Sequence, residues 1–153
     1  MREIRSITQA EKKQLRGILE ALPDWFGIPE ALDEYVENSQ ELPVLGCVED
    51  GSVLGFLTMK ETSRETLEIY VMGVLPDHHR EGIAKGMMEK LLAYAKANQY
   101  VYLQVKTLSP EVQDPYYLIS YEFYKTMGFS DVEVLTLWDE WNPCLLMIRK
   151  VEY

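Results

Sequence analysis

The sequence is poor in cysteine and histidine, with two of each in 153 residues. Cys47 and Cys144 lie far apart and form no C-x-x-C pair, so neither a zinc motif nor a disulfide framework is indicated. We expect both to be buried free thiols. His78 and His79 are adjacent and lack the i, i+4 spacing of an H-E-x-x-H helix, so no metal site is predicted.

Long hydrophobic runs are also missing. The longest, Tyr100 to Leu103 and Cys144 to Ile148, are far shorter than the roughly 20 residues of a membrane-spanning helix. Residues 1–5 carry mixed charge rather than the apolar stretch of a signal peptide. These features predict a cytoplasmic protein that has no membrane partner.

Basic residues are outnumbered, with 15 Lys and Arg against 25 Asp and Glu and a formal net charge of −10. This balance disfavours a nucleic-acid partner held through its phosphates and is compatible with a cationic, amine-bearing ligand. Hydrophobic residues at 47% and charged residues at 26% are typical of a globular protein. No repeat or flexible linker divides the chain, so we expect a single domain over residues 1–153.

Hydrophobic periodicity predicts the element order β-α-α-β-β-β-α-β-α-β-β. Thr8-Gln9-Ala10-Glu11 has the pattern of a capping box at the start of the first helix. The clearest amphipathic helix lies between Gly82 and Ala97, and Gly128 ends the last helical stretch. This mixed order implies an α/β (α+β) fold. Further helices are predicted at 30–38 and 115–127, and strands at 42–48, 53–59, 66–74, 100–105, 132–137 and 144–151.

The polar loop between the strand ending at Val74 and the amphipathic helix has features of an anion site. Free N–H groups at a helix start bind anions, and Gly82 and Ala84 would let a phosphate approach the main chain. Arg80 and Lys85 add positive charge. Neither a P-loop nor a dinucleotide-binding fingerprint is present. An ordinary strand-to-helix turn is the alternative.

Two motifs together resemble the GNAT superfamily of N-acyltransferases. Val74-Leu75-Pro76, followed by Arg80-Glu81-Gly82-Ile83-Ala84, is similar to its acetyl-CoA signature V-x-P-x-x-(R/Q)-x-x-G-x-(G/A). The run from Phe123-Tyr124 to Gly128-Phe129 is similar to the F-Y-x-x-x-G-F segment of its last helix. The resemblance implies a three-layer fold, with a central mixed, mostly antiparallel sheet and helices on both faces. It implies acetyl-CoA as the acyl donor, bound by Val74, His79, Arg80, Glu81, Gly82, Ile83, Ala84 and Lys85.

Three positions depart from the family pattern. His79 occupies the place where Arg or Gln is usual, so backbone donors and the neighbouring Arg80 would carry more of the pyrophosphate binding. Tyr117 and Ser120 stand where Asn and Ala are frequent.

The resemblance also implies direct transfer, in which an amine attacks the acetyl thioester and CoA thiolate leaves. Tyr124 holds the place of the usual general acid, and a phenol stays protonated at neutral pH. Glu68, six residues before Val74, resembles the catalytic Glu of the histone-acetylating branch and would deprotonate the amine. Strand alternation puts Glu68 and Val74 on one face unless a bulge intervenes. The alternative for Tyr124 is an aromatic residue of the core, and the alternative for Glu68 is a solvated or structural carboxylate of the strand.

In this fold the acceptor pocket is commonly bordered by the connection between the first two helices and by the last hairpin. Aromatic and acidic side chains there could hold an ammonium group. Trp138 and Trp141 could instead cover the sheet edge or form a homodimer contact. The sequence thus predicts an N-acetyltransferase for a small-molecule or peptide amine, with a non-catalytic acyl-CoA-binding sensor or structural subunit as the alternative. The acceptor candidates are Asp24, Trp25, Phe26, Trp138, Asp139, Glu140 and Trp141.

Overall fold

The computed structural model describes residues 1–153, and their elements follow the predicted order. The strands are β1 Arg2–Ser6, β2 Val44–Glu49, β3 Ser52–Ser63, β4 Thr66–Val74, β5 Tyr102–Leu108, β6 Ser130–Leu135 and β7 Cys144–Lys150. The helices are α1 Leu15–Glu20, α2 Pro29–Ser39, α3 Ile83–Ala97 and α4 Pro115–Thr126. Short 3-10 turns occupy Glu11–Gln14, Pro76–His78 and Pro110–Val112.

The seven strands form one sheet in the order β1-β2-β3-β4-β5-β7-β6. β4 and β5 pair parallel, whereas β1–β2, β2–β3, β5–β7 and β6–β7 pair antiparallel. The predicted mixed, mostly antiparallel sheet is thereby confirmed. Backbone contacts divide the chain into two compact units. Unit 1 comprises residues 1–60 and 70–94, and unit 2 comprises residues 61–69 and 95–153. The single domain over 1–153 stays a prediction.

The capping box predicted at the start of unit 1 forms. The Thr8 N–H donates to Glu11 Oε1 at 2.8 Å, and the Glu11 N–H donates to Thr8 Oγ1 at 3.1 Å. The Arg5 guanidinium donates to both Glu11 carboxylate oxygens, at 2.9 and 2.8 Å. These bonds, from Arg5 first and then from the Thr8 backbone, lower the pKa of Glu11 to about 2. The reciprocal bonds satisfy helix-end donors that would otherwise lack a partner.

In unit 1, helices cover both faces of the strands, as the resemblance implies. On the α1 and α2 side, Leu15, Leu19 and Phe56 are fully buried in one apolar cluster. On the other side, α3 packs close to β1, and a Cβ added at Gly86 would overlap the Ile4 side chain. Gly86 therefore permits this close approach of helix to strand.

β4 does not alternate regularly between the two faces. Tyr70 and Val71 are neighbours in the chain, yet both pack against the cluster on the α1 and α2 side. A Cβ added at Gly73 would also point to that side, 3.1 Å from the Leu22 side chain. Two successive residues on one face are the mark of a β-bulge, which we place at Tyr70 and Val71.

Val74 faces the α3 side instead. A Cβ added at Gly55 would lie 3.1 Å from Val74 Cγ2 and 3.0 Å from Ile83 Cγ2 of α3. The prediction that Glu68 shares a face with Val74 was conditional on there being no bulge between them. The bulge at Tyr70 and Val71 interrupts the alternation, so strand periodicity no longer supports a shared face for Glu68 and Val74.

In unit 2, α4 packs on β5, and the turn after it is held by Arg149, whose guanidinium donates to the Met127 carbonyl. The Tyr121 hydroxyl donates to Asp131 Oδ2 at 3.0 Å. Burial first, and then this bond to Asp131, raises the pKa of Tyr121. β6 lies at the end of the sheet, and its residues are exposed except for the half-buried Leu135.

Two strand boundaries in the middle of the chain differ from the prediction. β5 begins at Tyr102 rather than Tyr100, because the Tyr100 N–H closes the end of α3 by donating to the Ala95 carbonyl at 2.9 Å. β3 runs on to Ser63 rather than ending at Met59. Residues 60–63 are polar and exposed, so they lack the apolar period from which a strand is predicted.

Candidate functional site

The turn between β4 and α3 has the geometry of an anion site in unit 1. Arg80 and Gly82 adopt left-handed backbone conformations, with φ of 64° and 81°. The helix's own hydrogen bonds begin with the Gly86 N–H, which donates to the Gly82 carbonyl at 2.9 Å. The N–H groups of the first helical turn come before this first bond, so they have no acceptor within the helix and can bind an anion. A Cβ at Gly82 would meet no atom within 4 Å, so the space beside it is open.

His79 is directed at the protein itself. Its Nε2 lies 2.7 Å from the Val74 carbonyl oxygen. Because a carbonyl only accepts, this nitrogen must carry the proton and donate. The ring also meets Trp25 edge to face, with centroids 6.1 Å apart. The structure therefore brings together Val74, His79 and Trp25, one of the predicted acceptor residues.

The Glu81 carboxylate contacts two side chains, Arg2 and His78. Arg2 Nη1 lies 3.0 Å and His78 Nδ1 3.1 Å from its Oε1. The hydrogen bond from His78 first, and that from Arg2 next, lower the pKa of Glu81. Arg80 and Lys85 are exposed and form no ion pair. Sequence analysis missed Arg2, since nothing local connects β1 to this turn.

Residues Ile83 and Ala84 complete the turn as the first positions of α3. Ile83 is buried in the core, whereas Ala84 is half-buried. Ile83 anchors the helix start, and the small Ala84 leaves room beside the backbone.

Glu68 lies in unit 2 and is almost fully buried, with 5% of its side chain exposed. Its Oε1 is 2.8 Å from Lys106 Nζ and accepts a hydrogen bond from Gln104 Nε2 at 3.2 Å. The parallel register pairs Glu68 with Gln104, and Lys106 lies two residues further on the same face of β5. Sequence analysis missed both partners. A signal for them was the alternation of polar Gln104 and Lys106 with apolar neighbours.

Both cysteines are buried free thiols, as predicted. Burial, as the largest cause, raises the pKa of Cys144 to about 11 and also raises the pKa of Cys47. Since the thiolate is the reactive form, burial lowers the reactivity of both thiols.

Tyr124 is 7% exposed and is the only buried residue of α4. Its ring meets Phe123 at 5.6 Å and Phe129 at 5.8 Å between centroids, both edge to face. Gly128, with φ of 93°, ends the helix and turns Phe129 back, so that the Phe129 N–H donates to the Tyr124 carbonyl. The motif that drew attention to Tyr124 thus has a local packing role.

The predicted acceptor residues lie in two places. In unit 1, Asp24 is exposed and Phe26 half-buried, and the Phe26 ring packs on Tyr35, which sequence analysis missed. In unit 2, Asp139 Oδ1 accepts from the Trp141 N–H at 2.9 Å and from Asn142. Trp138 and Glu140 are exposed, and the Trp141 side chain is 79% exposed. A homodimer contact at the two tryptophans stays a prediction.

No group of three or more His, Cys, Asp or Glu side chains is placed to hold a metal ion. None of the helices combines the length and apolar character that crossing a membrane requires.

One family model and several solved structures match this chain. The model of the Acetyltransferase (GNAT) family matches residues 5–129. No curated protein matches the chain by sequence. Among solved structures, Ard1 from Thermoplasma volcanium is similar at 18% identity and a TM-score of 0.79, covering 99% of each chain.

Two further structures are similar along their whole length. The ribosomal-protein-S18-alanine N-acetyltransferase from Escherichia coli has 13% identity and a TM-score of 0.78, covering 100% of this chain and 96% of that one. The aminoglycoside 6'-N-acetyltransferase from Enterococcus faecium has 19% identity and a TM-score of 0.76, covering 99% and 98%. At these identities the likeness shows a shared fold.

Proposed function

The chain belongs to the acetyltransferase (GNAT) family, and we propose that it transfers an acetyl group from acetyl-CoA directly to a primary amine. The observation that carries the proposal is the turn before α3. In this turn the backbone is left-handed at Arg80 and Gly82, and the space beside Gly82 is open. The exposed side chains of Arg80 and Lys85 have no carboxylate partner. A similar structure, an aminoglycoside 6'-N-acetyltransferase, is a complex with coenzyme A.

In this proposal the CoA phosphates bind at the helix start. Main-chain N–H groups donate to them, and Arg80 and Lys85 supply charge. His79 contributes indirectly by fixing the turn through Val74. The residues proposed to hold acetyl-CoA are those predicted from the sequence, namely Val74, His79, Arg80, Glu81, Gly82, Ile83, Ala84 and Lys85.

The proposed reaction needs two proton transfers. The acceptor nitrogen must be neutral when it attacks the acetyl carbon, and the departing thiolate must gain a proton. We propose Tyr124 as the donor to sulfur and Glu68 as the group that takes the proton from the amine. The C–N bond forms, the C–S bond breaks, and the products are an amide and free CoA thiol.

Release of CoA thiol from acetyl-CoA across a panel of amines tests the proposal. Tyr124→Phe should keep the fold and CoA binding but lower turnover about 10²-fold, the usual contribution of a general acid. Glu68→Gln should lower turnover and recover partly as the pH approaches the pKa of the free amine, because the solvent then supplies neutral amine.

Each outcome assigns a role. Wild-type activity in Tyr124→Phe would reduce Tyr124 to a packing residue, provided that chemistry limits the rate. A wild-type pH profile in Glu68→Gln would leave Glu68 as a structural carboxylate. CoA binding without turnover on any amine would favour the non-catalytic sensor or structural subunit.

A further inference from the structure

Three aromatic side chains of unit 1 form a continuous surface that the chemistry above does not use. We call Phe26, Tyr35 and Tyr70 the aromatic wall. The rings of Phe26 and Tyr35 meet edge to face with centroids 5.9 Å apart, and those of Tyr35 and Tyr70 with centroids 5.3 Å apart. All three side chains are half-buried and pack against the α1 and α2 core. Each therefore keeps part of its surface open to solvent.

The protein places one of its own ammonium groups on this wall. Lys60 Nζ lies 5.5 Å from the centroid of the Tyr70 ring. This is within the roughly 6 Å over which a cation is attracted to an aromatic face. Lys60 itself is exposed. The contact shows that an ammonium group can reach this ring from the solvent side.

The Tyr70 ring is fixed before any ligand arrives. Asn38 Nδ2 donates to the Tyr70 hydroxyl oxygen at 2.7 Å. Asn38 lies three residues after Tyr35 on α2, so both occupy one side of that helix. A ring held by a hydrogen bond and by a neighbouring ring loses little freedom when a cation binds to it.

The charges beside the wall favour a cation. Helix α2 carries Glu30, Asp33, Glu34 and Glu37 and no basic residue. Asp33 is paired with Arg16 at 2.8 Å, whereas the three glutamates are exposed and form no ion pair. Acidic groups around an aromatic surface raise the local concentration of cations, and the whole chain is acidic as well.

An ammonium bound on the wall cannot be the attacking nitrogen, because the attacking nitrogen must be neutral. We propose that the aromatic wall binds a second, protonated amino group of the acceptor, so that di- and polyamines are acetylated in preference to monoamines. This rests on the proposed function for the first amino group. That group forms the amide as the thioester C–S bond breaks, and the ammonium on the wall is chemically unchanged.

Calorimetric titration of the full chain with spermidine and with propanol, which carries no ammonium group, tests the proposal without turnover. Tyr70→Leu removes the ring and should weaken spermidine binding by roughly 3- to 30-fold, the range of a cation–π contact, while any binding of propanol stays unchanged. Tyr70→Phe keeps the ring and should restore spermidine binding to within about twofold. Tyr116→Leu, an exposed tyrosine of α4, is the matched control and should bind as wild type.

Lys60→Met gives a result that a structural role would not produce. Removing the competing ammonium should strengthen spermidine binding. In the transfer assay, Tyr70→Leu should raise the KM for spermidine, reduce the preference in kcat/KM for spermidine over propylamine, and leave the KM for acetyl-CoA unchanged.

The proposal is overturned by three results. They are absence of spermidine binding to the wild type, an equal loss for spermidine and propanol in Tyr70→Leu, and weaker spermidine binding in Lys60→Met. Failure of the proposed function looks different, since no amine would then release CoA thiol while spermidine binding still followed Tyr70 and Lys60.

Discussion

The buried pair of Glu68 and Lys106 permits a sharp test of what holds unit 2 together. Lys106→Met would leave the Glu68 carboxylate with one described partner, the Gln104 amide at 3.2 Å. Only 5% of the Glu68 side chain is exposed, against 28% for Lys106. Water can therefore replace the ammonium only in part, and a largely dry carboxylate would remain.

The expected loss follows from this geometry. Removing one partner of a buried pair costs about 3–5 kcal/mol when both groups are fully desolvated. Because the Lys106 end is partly hydrated, we expect a smaller loss than this, about 2–3 kcal/mol of the free energy of unfolding. For a chain of this size that is a drop in Tm of roughly 4–12 °C.

Urea unfolding of the two single variants and of the Glu68→Gln/Lys106→Met double variant measures the coupling between the groups. The double variant should be more stable than the sum of the single losses implies. Lys125→Met is the control, because its pair with Asp131 is 3.9 Å long and exposed, and it should change stability by about 0.5 kcal/mol or less. A similarly small loss in Lys106→Met, or additive losses, would refute the reasoning.

Two further predictions concern unit 1. Glu11→Gln should cost about 1 kcal/mol at pH 7, since solvent partly screens this half-buried pair. The folded pKa of Glu11 is about 2 against an ordinary 4.5, so the pair's contribution is complete above 4.5 and is lost as the pH falls towards 2. Urea unfolding should show wild type and variant converging at low pH, and a constant difference would contradict this origin. Gly82→Val should weaken acetyl-CoA binding about tenfold or more, since one lost bond to a charged group costs about 1.5–3 kcal/mol. Gly51→Val is the matched control, because Gly51 has a similar left-handed φ and the same open space as Gly82, and this variant should bind acetyl-CoA normally. Equal losses of acetyl-CoA affinity in the two variants would assign the effect to backbone strain.

The sequence was sufficient for features set by neighbouring residues. The capping box of Thr8 and Glu11 needs only a three-residue spacing, and the buried face of α3 needs only a helical period. The turn around Gly82 could be predicted for the same reason, because left-handed conformation and helix start are local properties.

The partners of the candidate residues could not be predicted in this way. Glu68 meets Lys106 only because β4 and β5 pair parallel in one particular register. The bulge at Tyr70 and Val71 shifts that strand by one position relative to a strict alternation. Such features depend on how distant segments pack, and the hydrophobic pattern of one segment carries no information about them.

The acidic composition and the proposed phosphate site are reconciled by the local arrangement of charge. Of the two acidic residues within the turn, Arg2 and His78 both engage Glu81, and Asp77 is exposed. Arg80 and Lys85 form no ion pair with either of them, and they lie at a helix end whose N–H groups already favour an anion. An anion at the turn meets this local field first, because interactions with distant exposed carboxylates are screened beyond roughly 8–10 Å. In the proposed function, the excess of acid elsewhere, including that on α2, then acts on the amine acceptor rather than on the acyl donor.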